Sequence, residues 1–255
     1  MCAGPGRRPI DSSVKSSRER VTNLRRGDKR AVWEHGLRPV DVAIPLYDRF
    51  TALDAVGPYE VLSRLPGARV TFLAHEVGPV TTDNGMLTLI AEKALEELPR
   101  PELVMVPGGI GTRDLLADER LLAWIREAHQ HSEWTTSVCT GSLLLGAAGV
   151  LDGLEATSHW LELETLEDFG ARATGRRVVE QGKVVTSAGV SSGIDMALVL
   201  AARIAGEDLA KAIQLMIEYA PEPPFDSGST DKAAPELVRT LRERAAGGSG
   251  AQPDR

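Results

Sequence analysis

A chain of 255 residues, 42% hydrophobic and 25% charged, has room for one large α/β domain or two small ones, and its two cysteines exclude a disulfide-stapled miniprotein. Every apolar run is broken well short of the ~18 residues a membrane span needs, so no membrane partner is expected. The formal charge of −7 is unevenly spread: residues 1–39 hold 10 Lys/Arg against 4 Asp/Glu and the remainder 19 against 32, which makes nucleic acid a poor partner for the acidic body.

Residues 1–38 lack the apolar stretch of a secretory signal and are read as a disordered basic leader or as an upstream start that was never selected; an organellar transit peptide stays open. From Val40, β-branched runs alternate with amphipathic stretches, the pattern of a parallel sheet with crossover helices, and one domain over 39–246 accounts for it. VDVAIPL at 40–46 is the first strand. Pro58 is expected at the first position of a helix running through Val61, Leu62 and Leu65. ARVTFLA at 68–74 is a second strand, GMLTLIA at 85–91 part of an excursion or hairpin, and ELVMVPGG at 102–109 a buried strand stopped by Pro-Gly-Gly. A helix is expected over about 114–130. Thr135–Val138 then passes through Cys139 directly into a small-residue helix ending near Gly149. Thr157 is expected to cap a helix ending at Gly170, RRVVEQGKVVT to turn as a hairpin at Gln181–Gly182, and Gly206 to separate helices at 191–205 and 207–219. EYAPEPPFDSG at 218–228 reads as an excursion covering a site or a dimer partner, and 247–255 as a disordered tail.

A strand that turns straight into a helix puts its corner residue in a tight backbone conformation at the carboxyl edge of the sheet, where α/β ligands bind. SVCTGS places a thiol at that corner. The amides of Thr140 and Gly141 and the helix N-terminus predict a depressed thiol pKa and a thiolate near neutrality. A lone cysteine can also pack like alanine, but the strand–Cys–Thr–Gly–helix junction favours a nucleophile. Asp54, expected in the loop before Pro58, reaches the same edge. If it faces Cys139 the two titrate together, one proton shared between them at rest; an isolated Asp is otherwise a cap or a solvated loop residue. Gly108 and Gly109 permit close backbone approach, and the Gly109 amide is a candidate to join that of Thr140 as an anion-binding pair, although a plain tight turn fits as well. His159 is the histidine whose segment can reach the site, against the plainer reading of an imidazole packed beside Trp160. Asp195 reads as the cap of a neighbouring loop and Glu60 as structural. The two cysteines show no metal-ligand spacing, and no metal is expected.

With LDAVGPYEVL, VPGG, SVCTGS, ATSHW and SAGVSSGIDMAL in register over about 40–226, the chain resembles the ThiJ/PfpI superfamily, the class I glutamine amidotransferase-like fold. The Asp in LDAVGPYEVL, Cys-Thr-Gly at the corner and EYAPEPPFDSGS look most like the isonitrile hydratases within it. The resemblance implies a flavodoxin-like, doubly wound, mostly parallel sheet sandwiched by helices, with a nucleophile elbow at Cys139, no cofactor, a homodimer and a small-molecule isonitrile as partner. It carries a nucleophile onto Cys139, an acid onto Asp54, a hydrogen-bonding neighbour onto Thr140, oxyanion-type donation onto Gly108 and Gly109, and a near-site histidine onto His159. The reaction implied converts an isonitrile and water to an N-substituted formamide. Thiolate adds to carbon while protonated Asp54 delivers a proton, and water then releases the product. The expected location is cytoplasmic. Another thiol activity of the superfamily (glyoxalase, deglycase or peptidase) and a sensory domain like that of arabinose-regulator-type activators are the alternatives. The sensory reading calls for a helix-turn-helix part after the domain, where the sequence shows a short helix and GGSG. A glutamine amidotransferase would need a late His-x-Glu pair, and HWLE at 159–162 has the wrong spacing.

Overall fold

A computed structural model describes residues 39–247, all within the second of the two units into which the chain divides, Leu37–Arg255. The expectations for 1–38 and for 248–255 lie outside the described residues; Gly247, placed in the tail from sequence, closes the last helix.

In chain order the structure forms β1 (Val40–Pro45), α1 (Ala52–Leu62), β2 (Ala68–Ala74), β3 (Gly78–Thr81), β4 (Thr88–Ala91), β5 (Lys93–Ala94) and β6 (Leu103–Val106). A 3-10 turn (Ile110–Leu115), α2 (Glu119–His131), β7 (Trp134–Val138) and α3 (Gly141–Ala147) follow. Then come β8 (Glu155–Ala156), α4 (Leu163–Glu167), β9 (Arg172–Ala173), β10 (Val178–Gln181), β11 (Val184–Ser187), α5 (Ser192–Ala205), α6 (Glu207–Met216) and α7 (Pro235–Gly247). Seven strands make one sheet in the order β10-β11-β7-β6-β1-β2-β5, parallel except for the β10–β11 hairpin. This is the flavodoxin-like, mostly parallel sheet flanked by helices. The central strand β6, LVMV, is buried at all four positions, which is why its sequence is a continuous apolar run and not an alternation. β3 and β4 pair antiparallel as the expected excursion. Among the described residues no helix is long and apolar enough to cross a membrane.

Three local expectations are corrected. Helix α1 starts at Ala52, so Pro58 lies inside it and Asp54 in its first turn, not in a preceding loop. Proline has no N–H for the Asp54 carbonyl and is costly there in isolation. Tertiary packing overrides that preference: a Cβ on Gly57 would lie 3.1 Å from Ile194, and one on Gly193 3.0 Å from Pro58, so α1 and α5 meet at nearly bare backbone. The helix expected over 114–130 is split, because Asp118 caps α2 by accepting the Leu121 amide at 3.0 Å. Thr157 caps nothing. Its amide donates to Thr186 Oγ1 on β11 at 2.9 Å, and the nearby helix is only Leu163–Glu167.

Candidate active site

The carboxyl ends of β1, β6, β7 and β11 converge at Cys139. Its φ of +56° is the left-handed conformation, which costs a non-glycine residue about 1–3 kcal/mol and persists only where the surroundings impose it. Here they do. The Cys139 amide donates to the carbonyls of Ser187 (3.1 Å) and Ala188 (3.0 Å), and its carbonyl accepts the hydroxyls of Ser142 and Ser158, both at 3.1 Å. Gly141 lets α3 leave the elbow at once, since a Cβ there would sit 2.2 Å from the Val106 carbonyl oxygen.

Asp54 is fully buried. Its Oδ2 accepts the Gly108 amide at 3.0 Å, Oδ1 is buried with no hydrogen-bond partner, and the carboxyl lies close enough to the Cys139 thiol for each to shift the other's pKa. A Cβ on Gly108 would lie 2.5 Å from the Thr140 nitrogen and 2.8 Å from Asp54 Oδ2, so glycine is what allows strand end, acid and elbow to meet. Cys139, Asp54, Thr140, Gly108 and Gly109 are thus brought together.

The two acids influence one another's titration, but the acidity of the thiol differs from the sequence expectation. Burial pushes the Asp54 carboxyl up to about 7, against the opposing pull of the Gly108 amide and the thiol. Burial, and then the nearby Asp54 charge, hold the Cys139 thiol well above its ordinary range. The amides of Thr140 and of Val190, rather than Gly141, favour the thiolate but do not outweigh desolvation. Burial thus favours the protonated form of both groups, which titrate as a coupled pair. The expected depressed thiol pKa is overturned because the helix-terminus argument counts donors and leaves out the loss of water.

The Gly109 amide is also not free to join Thr140 in holding an anion: it donates to Thr140 Oγ1 at 2.9 Å. Sequence reasoning missed the residues behind this contact. Thr112 Oγ1 lies 2.9 Å from Thr140 Oγ1 and 3.0 Å from the Tyr47 hydroxyl, and Tyr47 donates to the Pro107 carbonyl at 2.7 Å. Tyr47, at the carboxyl end of the first strand's apolar run, carried a positional signal; Thr112, Ser158 and the Val190 amide carried none.

A cleft of about 300 Å³ opens over Cys139 and Thr140, walled by apolar side chains including Ile110, Leu143, Leu161 and Val190. His159 lines it. Its Nδ1 accepts the Leu161 amide at 3.4 Å, its ring lies against Gly189 and beside Trp160, and burial lowers its pKa, so at neutral pH it is an uncharged wall. Arg113, paired with Glu162, and Arg244 from α7 also line the cleft. Asp195 pairs with Arg177 and Glu60 with Arg64, both as structural contacts. Among the described residues no group of three or more His, Cys, Asp or Glu is arranged to hold a metal.

The comparisons with known proteins agree with this architecture. The crystal structure of a ThiJ/PfpI family protein from Pseudomonas syringae superposes with a TM-score of 0.80 at 35% identity, covering 83% of this chain and 88% of that one. The chain is 42% identical over 207 residues to the isonitrile hydratase of Pseudomonas putida, covering 81% of this chain and 90% of that protein. It is 30% identical over 171 residues to the HTH-type transcriptional regulator CdhR of Pseudomonas aeruginosa, covering 66% of this chain and half of the regulator. The DJ-1/PfpI family model matches residues 40–203, and the chain belongs to that family.

Proposed function

We propose that this chain is an isonitrile hydratase working through Cys139 and Asp54. The observation that carries the reading is the Cys139 thiol lining an apolar cleft with the buried carboxyl of Asp54 close to it; the likeness to the P. putida enzyme supports it. The terminal carbon of R–N≡C has a lone pair, so it must take a nucleophile and a proton together. With the sulfur protonated and Asp54 ionised, the carboxylate accepts the thiol proton as sulfur attacks and passes it to that carbon, giving an enzyme-bound thioimidate, R–N=CH–S. Asp54, again a carboxylate, deprotonates water as its oxygen adds to the same carbon. The nitrogen takes that first water proton from Asp54, and the C–S bond breaks as the second water proton, from the new hydroxyl, returns to sulfur, which restores the carboxylate and the thiol. The product is R–NH–CHO, and water is the only other reactant consumed.

The thiolate and acid roles expected from sequence are thereby exchanged at rest, and the same two residues do the chemistry. Thr140 orients the elbow and the cleft receives an alkyl or aryl substituent. A cytoplasmic homodimer completes the proposal, with exposed Leu215, Met216 and Phe225 as apolar surface a second copy could cover.

The test incubates the protein with cyclohexyl isocyanide and follows N-cyclohexylformamide for the wild type, Cys139→Ala and Asp54→Asn. Turnover by the wild type alone supports the reading. No formamide from the wild type, with a glyoxal consumed instead, moves the assignment to another thiol activity of the family.

A further inference from the structure

Five hydrogen bonds close a ring behind the elbow that begins and ends on one tripeptide. The Pro107 carbonyl accepts the Tyr47 hydroxyl; Tyr47 contacts Thr112 Oγ1; Thr112 contacts Thr140 Oγ1; and Thr140 both accepts the Gly109 amide and donates to the Gly109 carbonyl at 3.1 Å. Thr112 adds its own amide to the Gly109 carbonyl at 3.1 Å. The proton directions follow from the acceptors. Carbonyls only accept, so the Tyr47 and Thr140 protons are committed to Pro107 and Gly109, and the Thr112 proton lies between two oxygens that can both still receive it. Tyr47 and Thr112 are 5% and 0% exposed, so no solvent replaces a lost member.

Between the two anchored residues lies Gly108, whose amide is the N–H donor to the Asp54 carboxyl and whose carbonyl accepts the Thr51 amide at 2.8 Å just ahead of α1. We infer that Tyr47 and Thr112 are positioning residues for the reaction: they fix the Pro107–Gly109 peptides against Thr140, and so set how firmly the Gly108 amide holds Asp54 beside the sulfur. Thr112 also lines the cleft, but no hydrogen bond joins it or Tyr47 to the sulfur, and both are tied to the Pro107–Gly109 backbone. The inference deepens the reading of the site given above and uses the same acid–thiol pair.

Loosening the ring lets the Gly108 amide drift from the carboxylate. That removes a bond favouring the charged form, and the pH at which Asp54 ionises moves up. Two readouts follow it in Tyr47→Phe, Thr112→Val and Thr112→Ser: the pH profile of kcat with cyclohexyl isocyanide, and the pH profile of Cys139 alkylation by iodoacetamide, which needs no isonitrile turnover. For Phe and Val, the expected result is a rising limb moved to higher pH by half a unit or more and a kcat about 5- to 20-fold lower at pH 7, with KM changed less than about twofold. Thr112→Ser, which keeps the hydroxyl, restores the wild-type profile. Variants that lose thermal stability while both limbs stay in place overturn the inference. If the wild type hydrates no isonitrile, the reaction assignment fails and the alkylation limb still decides the role of the ring.

Discussion

The same parallel strands carry a cleft at each end. At the amino edge a cleft of about 510 Å³ lies among Pro39, Arg69, Glu102, Glu133, Trp134 and Arg203. At the carboxyl edge the cleft over Cys139 is about 300 Å³. The larger one is rich in charge, but that charge is spent on the scaffold: Arg69 makes a two-pronged contact with Asp41 (2.5 and 2.7 Å), Arg203 pairs with Glu180 at 3.0 Å, and Glu102 accepts the Asp41 amide at 2.8 Å. The smaller one has the Cys139 thiol in a left-handed corner, with the Asp54 carboxyl buried close by and one of its oxygens without a hydrogen-bond partner. Volume and charge do not mark the site. Unspent polar capacity, held where strands end and helices begin, does.

The contrast fails first if the thiol is dispensable. Cys139→Ala is expected to lower isonitrile hydration on the order of 10⁴-fold or more, since no other side chain on the floor can form the thioimidate. Residual activity within about tenfold of the wild type, measured as formamide production, would place the chemistry elsewhere.

Asp54→Asn comes next, with an expected loss of about 10²- to 10⁴-fold because the proton carrier is gone. It also separates stability from activity. The folded-state pKa of Asp54 is raised to about 7, so the folded chain holds this proton more tightly than the unfolded one. That contribution to stability is complete below about pH 4 and is lost as pH rises to about 7 and beyond, a change on the order of 3–4 kcal/mol for a fully buried group. Chemical denaturation at pH 5 and pH 8 should show this decline in the wild type and its absence in Asp54→Asn, which becomes the relatively more stable protein at pH 8. In the wild type, kcat should rise through a limb near pH 7 as the carboxylate forms. A flat stability profile in both proteins would mean the carboxyl is not held out of water.

Gly108→Ala tests the close approach itself. The added carbon meets the Thr140 nitrogen at 2.5 Å and Asp54 Oδ2 at 2.8 Å, and neither can move without opening the ring or the acid–thiol contact. The expected result is about 1–3 kcal/mol of lost stability by denaturant titration, together with a 10- to 100-fold lower kcat. Stability lost with kcat intact would reduce Gly108 to a packing residue.

How much of this was legible in the sequence divides along the same line. The sheet, the elbow and the closeness of Cys139, Asp54 and Thr140 could be read because they depend on local signals: an apolar run, an abrupt change to small residues, an acid beside a proline. Two things could not. The acidity of the thiol depends on water excluded by residues far apart in sequence, so an argument from helix amides alone had the wrong sign. The ring through Tyr47 and Thr112 joins residues 60 and 65 positions apart by hydroxyl groups of common types; the place of Tyr47 after the first strand's apolar run hints at one member, and nothing in spacing or composition points to Thr112. The start of α1 was misplaced for a related reason, since Pro58 is a strong local signal overridden by its packing against Gly193.

The smallest effect is expected at the opposite edge. Arg69→Ala removes the two-pronged contact to Asp41 from the larger cleft, on a side chain 67% exposed. Water takes over the hydrogen bonds of both groups, and salt already screens the attraction, so exposed pairs of this kind contribute little. The thermal midpoint should hardly move, and formamide production should stay within about twofold of the wild type. A large loss of activity here would mean that the amino-edge cleft is coupled to Cys139 through β1 and β6, and the two ends of the sheet would have to be treated as one site.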